Sequence, residues 1–291
     1  MITDTDPTPL KIGLALGGGG ARGLAHIGVL RVLEREGIPI HLLAGTSMGG
    51  LIAAAYASPH TLAEIEAELI RAPQPGQVMR FLDRRPTRQG LLKGERLRAY
   101  FAQMLGPDLT FADLRLPTAL LAVDVRTGRE VVLRGGRVVD AMRATMSVPG
   151  IFAPVEMGGY RLVDGGVLNN VPTDVVREMG ADVVIAVDVL PTAGEVMPDA
   201  GTFETMEIPL LPHVAQEIWQ VEMIMLAALT QFRLAQSPPD ILLRPKIPPS
   251  VSLFIGFSRA AELFALGEAA AVAALPQIQA TLSQAAARRR S

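Results

Sequence analysis

The chain has no cysteine in its 291 residues. Disulfides and thiolate metal sites are therefore excluded. It has only four histidines, His26, His41, His60 and His213, and their scatter offers no zinc site. Charge of one sign is also lacking: 27 basic against 29 acidic residues leave a formal net charge of −2. A nucleic-acid partner, which needs a basic face, is not expected. The opening residues, MITDTDPTPLK, carry acids where a secretory signal carries cations. No uncharged apolar run of the length that spans a bilayer stands out. The richest stretch, 208–229, is interrupted by His213, Glu217 and Glu222. The expectation is a cytoplasmic protein, with room for peripheral contact at the inner membrane surface.

Apolar side chains are plentiful, at 49%. That is enough to fill one large α/β domain, expected over 11–275. Residues 1–10 read as a flexible lead, and 276–291 as a helix end with a basic tail, Arg288–Arg290. The tail is too short for a lipid-headgroup cluster and is expected to be solvated.

Apolar runs at 11–16, 38–44, 118–124, 130–134, 161–163 and 182–189 predict strands. Helical spacing marks 24–33, 51–57, 95–105, 139–146, 173–179 and the Met-rich 221–232. Thr61 and Glu64 form a capping box for a further helix. A short strand is expected at 240–243, and a C-terminal helix from Ser258 that breaks or kinks at Pro276. Residues 72–95, rich in Pro, Gly and Arg, read as a surface excursion or lid. Strands alternating with helices imply a mainly parallel sheet covered on both faces.

Three glycine-marked segments carry the chemistry. The first is Gly45-Thr46-Ser47-Met48-Gly49, a G-x-S-x-G turn between an apolar strand and an apolar helix. That context suits a nucleophile elbow: Gly45 and Gly49 remove clashes, and Ser47 stands at a helix N-terminus among unpaired N–H groups. The second is Gly17-Gly18-Gly19-Gly20-Ala21-Arg22-Gly23. Its G-x-G-x-x-G spacing suggests a dinucleotide, but the second strand ends in Leu43-Ala44-Gly45-Thr46 without the required acid. The other use of such bare amides is an oxyanion hole from Gly18, Gly19 and Gly20, with the Met48 N–H added. The third is Asp164-Gly165-Gly166 at a strand end, where α/β sheets place their sites. Asp124 and Asp188 also lie near strand ends, so position alone does not single out Asp164.

The base for Ser47 stays open on these grounds. His26 lies within an apolar helix face, His41 within a strand, and His60 near a cap. His213 follows Ser47 and Asp164, which fits the Ser–Asp–His order of α/β-hydrolases. A non-catalytic lipid- or nucleotide-binding module is the third reading.

Together the motifs resemble the patatin-like phospholipase family. The segments that carry the resemblance are GGGGARG (17–23), LAHIGVL (24–30), GTSMGG (45–50), SVPGIFAPV (147–155) and DGGVLNNVP (164–172). FSRAAELFALGEAAA (257–271) is similar to bacterial members. The resemblance implies a three-layer α/β/α fold with a mainly parallel sheet, related to cytosolic phospholipase A2. It implies a Ser47–Asp164 dyad that hydrolyses acyl esters of lipids with no metal or other cofactor. Gly45, Gly49, Gly165 and Gly166 would support the dyad. Arg22 would orient the oxyanion loop, meet an anionic group, or simply form a surface salt bridge. The Met-rich helix with Phe203, Phe254 and Phe257 would either wall an acyl groove or pack as plain core. Substrate and oligomeric state are not legible.

Overall fold

The structure is a computed structural model that describes residues 9–71, 92–192, 194–197, 213–253 and 255–290, without the side chains of 213–216, 219 and 290. Residues 1–8 of the predicted lead (1–10), residues 72–91 of the predicted lid (72–95), Phe203 and Phe254 lie outside the described residues.

Among the described residues eight strands form one sheet: β1 (Ile12–Leu16), β2 (Leu42–Thr46), β3 (Thr118–Asp124), β4 (Arg129–Leu133), β5 (Val155–Met157), β6 (Tyr160–Asp164), β7 (Val183–Val187) and β8 (Ile241–Leu243). β8, β7, β1, β2 and β3 run parallel in that order. β1, β2, β3 and β7 are buried at every position, as expected of strands covered on both faces.

The helices are α1 (Ala25–Arg35), α2 (Met48–Ala57), α3 (Leu62–Arg71), α4 (Glu95–Leu105), α5 (Val138–Thr145), α6 (Thr173–Glu178), α7 (His213–Gln236) and α8 (Ala260–Arg290). Alternation along the strands sorts the layers. Leu14, Leu16, Leu43, Leu120 and Ile185 face a large core with residues of α1 to α5 and α8. Ala15, Ala44, Ala119, Leu121 and Ala186 face the other side, under Val175 and Val176 of α6 and Leu234 of α7. The fold is three-layer α/β/α.

The antiparallel strands decide where the site forms. β4 pairs with β3 along Leu120–Asp124. β2 pairs with β3 as far as Thr46 opposite Leu121. β6 runs the other way and pairs down to Asp164 opposite Ala122. Both overlap β4's stretch of β3, so both occupy the opposite edge. The C-terminal ends of β2 and β6 therefore meet head to head at Leu121 and Ala122.

Several expectations are corrected. β2 begins at Leu42 rather than Ile38: His41 N–H still donates to Ile12 O (2.8 Å), but the Ile12 N–H goes to the His41 ring Nδ1 (3.0 Å) instead of a backbone carbonyl further back, and the ladder stops there. β5 was not expected; it is a short, half-exposed strand against β6. α8 runs through Pro276. Pro276 lacks the N–H that would bond the Val272 carbonyl, but Val272 is 43% exposed, so water can take its place. Arg289 is not a free tail: it pairs with Asp182 at 2.6 Å and donates to Pro9 O at 3.0 Å. Phe257–Arg289 is also long and apolar enough, by length and composition, to cross a membrane, with 28% of its richest window buried. Scattered alanines give it that hydropathy without a conspicuous run. Its inner face packs on α1, where a Cβ at Gly28 would lie 1.8 Å from Phe264 O. The Thr61–Glu64 capping box forms as expected, with bonds of 2.8 and 3.3 Å.

Candidate active site

Ser47 joins β2 to α2 at φ +52°, the one positive-φ non-glycine among the described residues. Such a backbone costs roughly 1–3 kcal/mol and persists where its surroundings over-determine it. Here the Ser47 N–H donates to Thr145 Oγ1 at 2.9 Å, and its carbonyl accepts from Leu51 N–H at 2.9 Å. The flanking glycines are a packing requirement. A Cβ at Gly45 would lie 2.4 Å from Gly49 O, and one at Gly49 would lie 2.1 Å from Leu16 O.

The glycine loop lies against this elbow: a Cβ at Gly18 would sit 3.0 Å from Ser47 Cβ. Of the expected donors, the Gly18 N–H is engaged by Asn170 O at 3.2 Å. Those of Gly19, Gly20 and Met48 meet no acceptor among the described residues. Gly18 is thus a spacer whose missing side chain admits Ser47. Asn170, which sequence reasoning passed over, also donates through Nδ2 to Gly18 O at 3.3 Å. Its only signal was its place in the segment after Asp164.

Behind the loop, buried His26 holds Gly17 O through Nε2 at 2.7 Å. Burial pushes its pKa down to about 4, so it is neutral at pH 7 and donates. Arg22 is buried, not on the surface. Its guanidinium donates to the backbone carbonyls of Val189 (2.6 Å), Val251 (2.9 Å), Pro248 (3.3 Å) and Ile247 (3.4 Å). This cross-brace excludes the surface salt bridge and fits the loop-orienting role.

Asp164 ends β6 and is 6% exposed. Its N–H donates to Ser147 O at 3.0 Å, and its Oδ1 accepts from Gly166 N–H at 2.8 Å. Burial pushes its pKa up to about 6; the neighbouring Ser47 side chain and the Gly166 N–H oppose that rise, and the nearby charge of Glu222 adds to it. The Ser47 hydroxyl also lies 3.8 Å from Met146 Sδ, a far weaker acceptor than a carboxylate. Gly165 sits where a Cβ would come 2.5 Å from Leu121 O, and Gly166 beside the carboxylate.

The rival aspartates are occupied elsewhere. Asp124 organises a turn, accepting from Arg161 N–H (2.9 Å) and the Thr127 hydroxyl (2.8 Å), and lies below the usual carboxylate range chiefly for the first of these. Asp188 pairs with Arg244 at 3.2 Å and accepts from Leu190 N–H at 3.2 Å. Among the described side chains no histidine bonds Ser47 or Asp164. His41 serves β1, and His60 bonds the Ser58 hydroxyl at 3.0 Å. His213 opens α7, and its side chain lies outside the described residues.

α7 passes beside the carboxylate, with Leu226 Cδ1 3.9 Å from where a Gly166 Cβ would be. The helix is not plain core. Met223, Ala227, Thr230 and Leu234 are buried, while Ile218, Val221, Met225 and Phe232 form an exposed apolar stripe. Phe257 packs against the main core instead.

Residues 14–177 match the Patatin-like phospholipase family, a stretch that contains the glycine loop, Ser47 and Asp164. The chain belongs to that family. Among curated relatives, an uncharacterized NTE family protein of Mycobacterium tuberculosis is 34% identical over 177 residues, 61% of this chain and 48% of that one. The patatin-like phospholipase domain-containing protein 7 of Rattus norvegicus is 36% identical over 185 residues, 61% of this chain and 13% of its own. This chain therefore spans about half the length of the mycobacterial relatives and a small part of the rat one. Of solved structures, VipD from Legionella pneumophila has a TM-score of 0.58 at 14% identity, covering 96% of this chain and 67% of VipD. That likeness is one of fold.

Proposed function

We propose that this chain is a serine hydrolase of carboxylic esters of lipids, of the phospholipase A, lysophospholipase or esterase type. Ser47 is the nucleophile and Asp164 the base, within one catalytic unit over 11–275. The observation that carries the reading is a serine held at a strained backbone position beside a buried carboxylate whose pKa is raised to about 6. A base works best when its pKa lies near the working pH. An alcohol becomes a nucleophile when such a base takes its proton.

Ser47 Oγ adds to the acyl carbonyl while its proton passes to Asp164. The N–H groups of Gly19, Gly20 and Met48 receive the developing oxyanion, each worth about 3–4 kcal/mol if its geometry matches. The intermediate collapses and expels the alcohol, which takes the proton from Asp164. Water then adds to the acyl-enzyme with Asp164 again as base; the acyl–Oγ bond breaks, Ser47 Oγ takes the proton back from Asp164, and the fatty acid leaves. No cofactor enters these steps. Met146 and Leu226 border the dyad and suit an acyl chain, and the apolar stripe of α7 suits a lipid-facing mouth at a membrane surface.

The test is covalent labelling by a fluorophosphonate, read as a mass shift on the peptide holding Ser47, with turnover of p-nitrophenyl esters alongside. Labelling at Ser47 that is lost in Ser47→Ala supports the reading. Undiminished hydrolysis by Ser47→Ala would sink it. Comparing lipid extracts treated with the two proteins identifies the substrate class.

A further inference from the structure

The end of α5 and the two residues after it touch both partners of the dyad. Thr145 Oγ1 accepts from the Ser47 N–H at 2.9 Å and donates to Leu121 O at 2.6 Å. Two residues on, Ser147 O accepts the Asp164 N–H at 3.0 Å. Between them Met146 Sδ lies 3.8 Å from the Ser47 hydroxyl. Thr145 and Ser147 are fully buried. The segment is itself braced: Arg143 Nη1 donates to Ser147 Oγ at 2.7 Å and Nη2 to Ala153 O at 3.1 Å, with the guanidinium 5.0 Å over the Phe152 ring. Leu121, which holds Thr145, is the residue of β3 opposite Thr46, next to the one opposite Asp164.

We infer that Thr145 is a positioning residue that sets the nucleophile against its base. The inference rests on Ser47 being the nucleophile. At the N-cap of α2 the Ser47 N–H has no partner within its own helix. Thr145 supplies that partner, and so pins the backbone at the one described position where a side-chain-bearing residue has positive φ. The same bond turns the Ser47 N–H away from the oxyanion and leaves that task to the next amide, Met48. Serine and base are then referred to a single three-residue span, 145–147. Misplacing a reacting group by about 1 Å can cost on the order of a hundredfold in rate.

Thr145→Val keeps the shape and removes the hydroxyl; Thr145→Ser keeps the hydroxyl and removes a methyl. The expected result for Val is a fall in kcat of roughly 10- to 100-fold, a KM within about threefold, and a parallel fall in fluorophosphonate labelling of Ser47. The expected result for Ser is kcat within about threefold of the parent. If the Val protein does not fold, Thr145→Ala and Thr145→Ser, which differ by one oxygen, carry the same comparison. The inference is overturned if the folded Val protein keeps the parent kcat. It is overturned too if Val raises KM alone, or if Ser is as impaired as Val or no better than Ala. Failure of the parent protein to label at Ser47 and to turn over esters instead overturns the nucleophile assignment beneath it.

Discussion

The elbow that carries Ser47 and the strand that carries Asp164 occupy the same edge of β3, yet they are held differently. The elbow lies among fully buried parallel strands, and its backbone contacts are so close that glycine is obligatory at Gly45 and Gly49. The β5–β6 arm is antiparallel and partly exposed, with a turn at Gly158–Gly159 where a side chain at Gly159 would meet nothing. Strain is concentrated on the side of Ser47. The carboxylate's side contributes a desolvated charge and depends on strand register for its place.

The comparison breaks if one half proves dispensable. Ser47→Ala and Asp164→Asn are each expected to lower kcat/KM by about a thousandfold or more, as for groups that act as a unit. An Asp164→Asn protein that kept its turnover would leave the elbow working without the arm. The next effect separates the two halves by stability. Gly49→Ala forces a Cβ against Leu16 O and is expected to cost about 3 kcal/mol or more, or to prevent folding. Gly159→Ala, at φ +82° in open space, is expected to cost about 1–2 kcal/mol. Urea unfolding of the two variants measures the difference, and equal costs would erase the contrast.

A third effect lies in the pH dependence of stability. Asp164 is raised from 3.8 to about 6 in the folded state. As pH rises through that window the unfolded chain releases the proton first, so the wild type loses stability and above it carries a constant penalty. Asp164→Asn removes the penalty. Its gain, at most about 3 kcal/mol, is expected to be absent near the lower pKa and complete above the higher one. Thermal unfolding at a series of pH values reads it, and a gain independent of pH would contradict the buried charge. The smallest effect sharpens the arm's electrostatics. Activity should rise with pH through about 6 as Asp164 ionises, and Glu222→Gln should move that limb to lower pH by removing a nearby negative charge. A limb that stayed in place would show that Glu222 has no purchase on the base.

What could be read along the chain follows the same division. Ser47, its flanking glycines and the loop at Gly17–Gly20 announce themselves because tight backbone approaches admit almost no other residue. Asp124, Asp164 and Asp188 look alike, because an aspartate at a strand end makes an equally good turn former or base. Thr145 and Asn170 left no mark of their own, since a hydroxyl or an amide at a helix end or in a loop has many ordinary partners. Pro276 does not break its helix, because a solvent-facing carbonyl tolerates a missing donor that a buried one would not.

By itself the order of apolar runs and glycines determined the layered α/β architecture, the family and the tight turn at Ser47, because each is marked by the pattern of consecutive residues. Only the tertiary structure decided which strand-end aspartate lies beside that serine. β2 and β6 must share one edge of β3 for their ends to converge, and that register is set by two separate non-local pairings, Thr46 with Leu121 and Asp164 with Ala122.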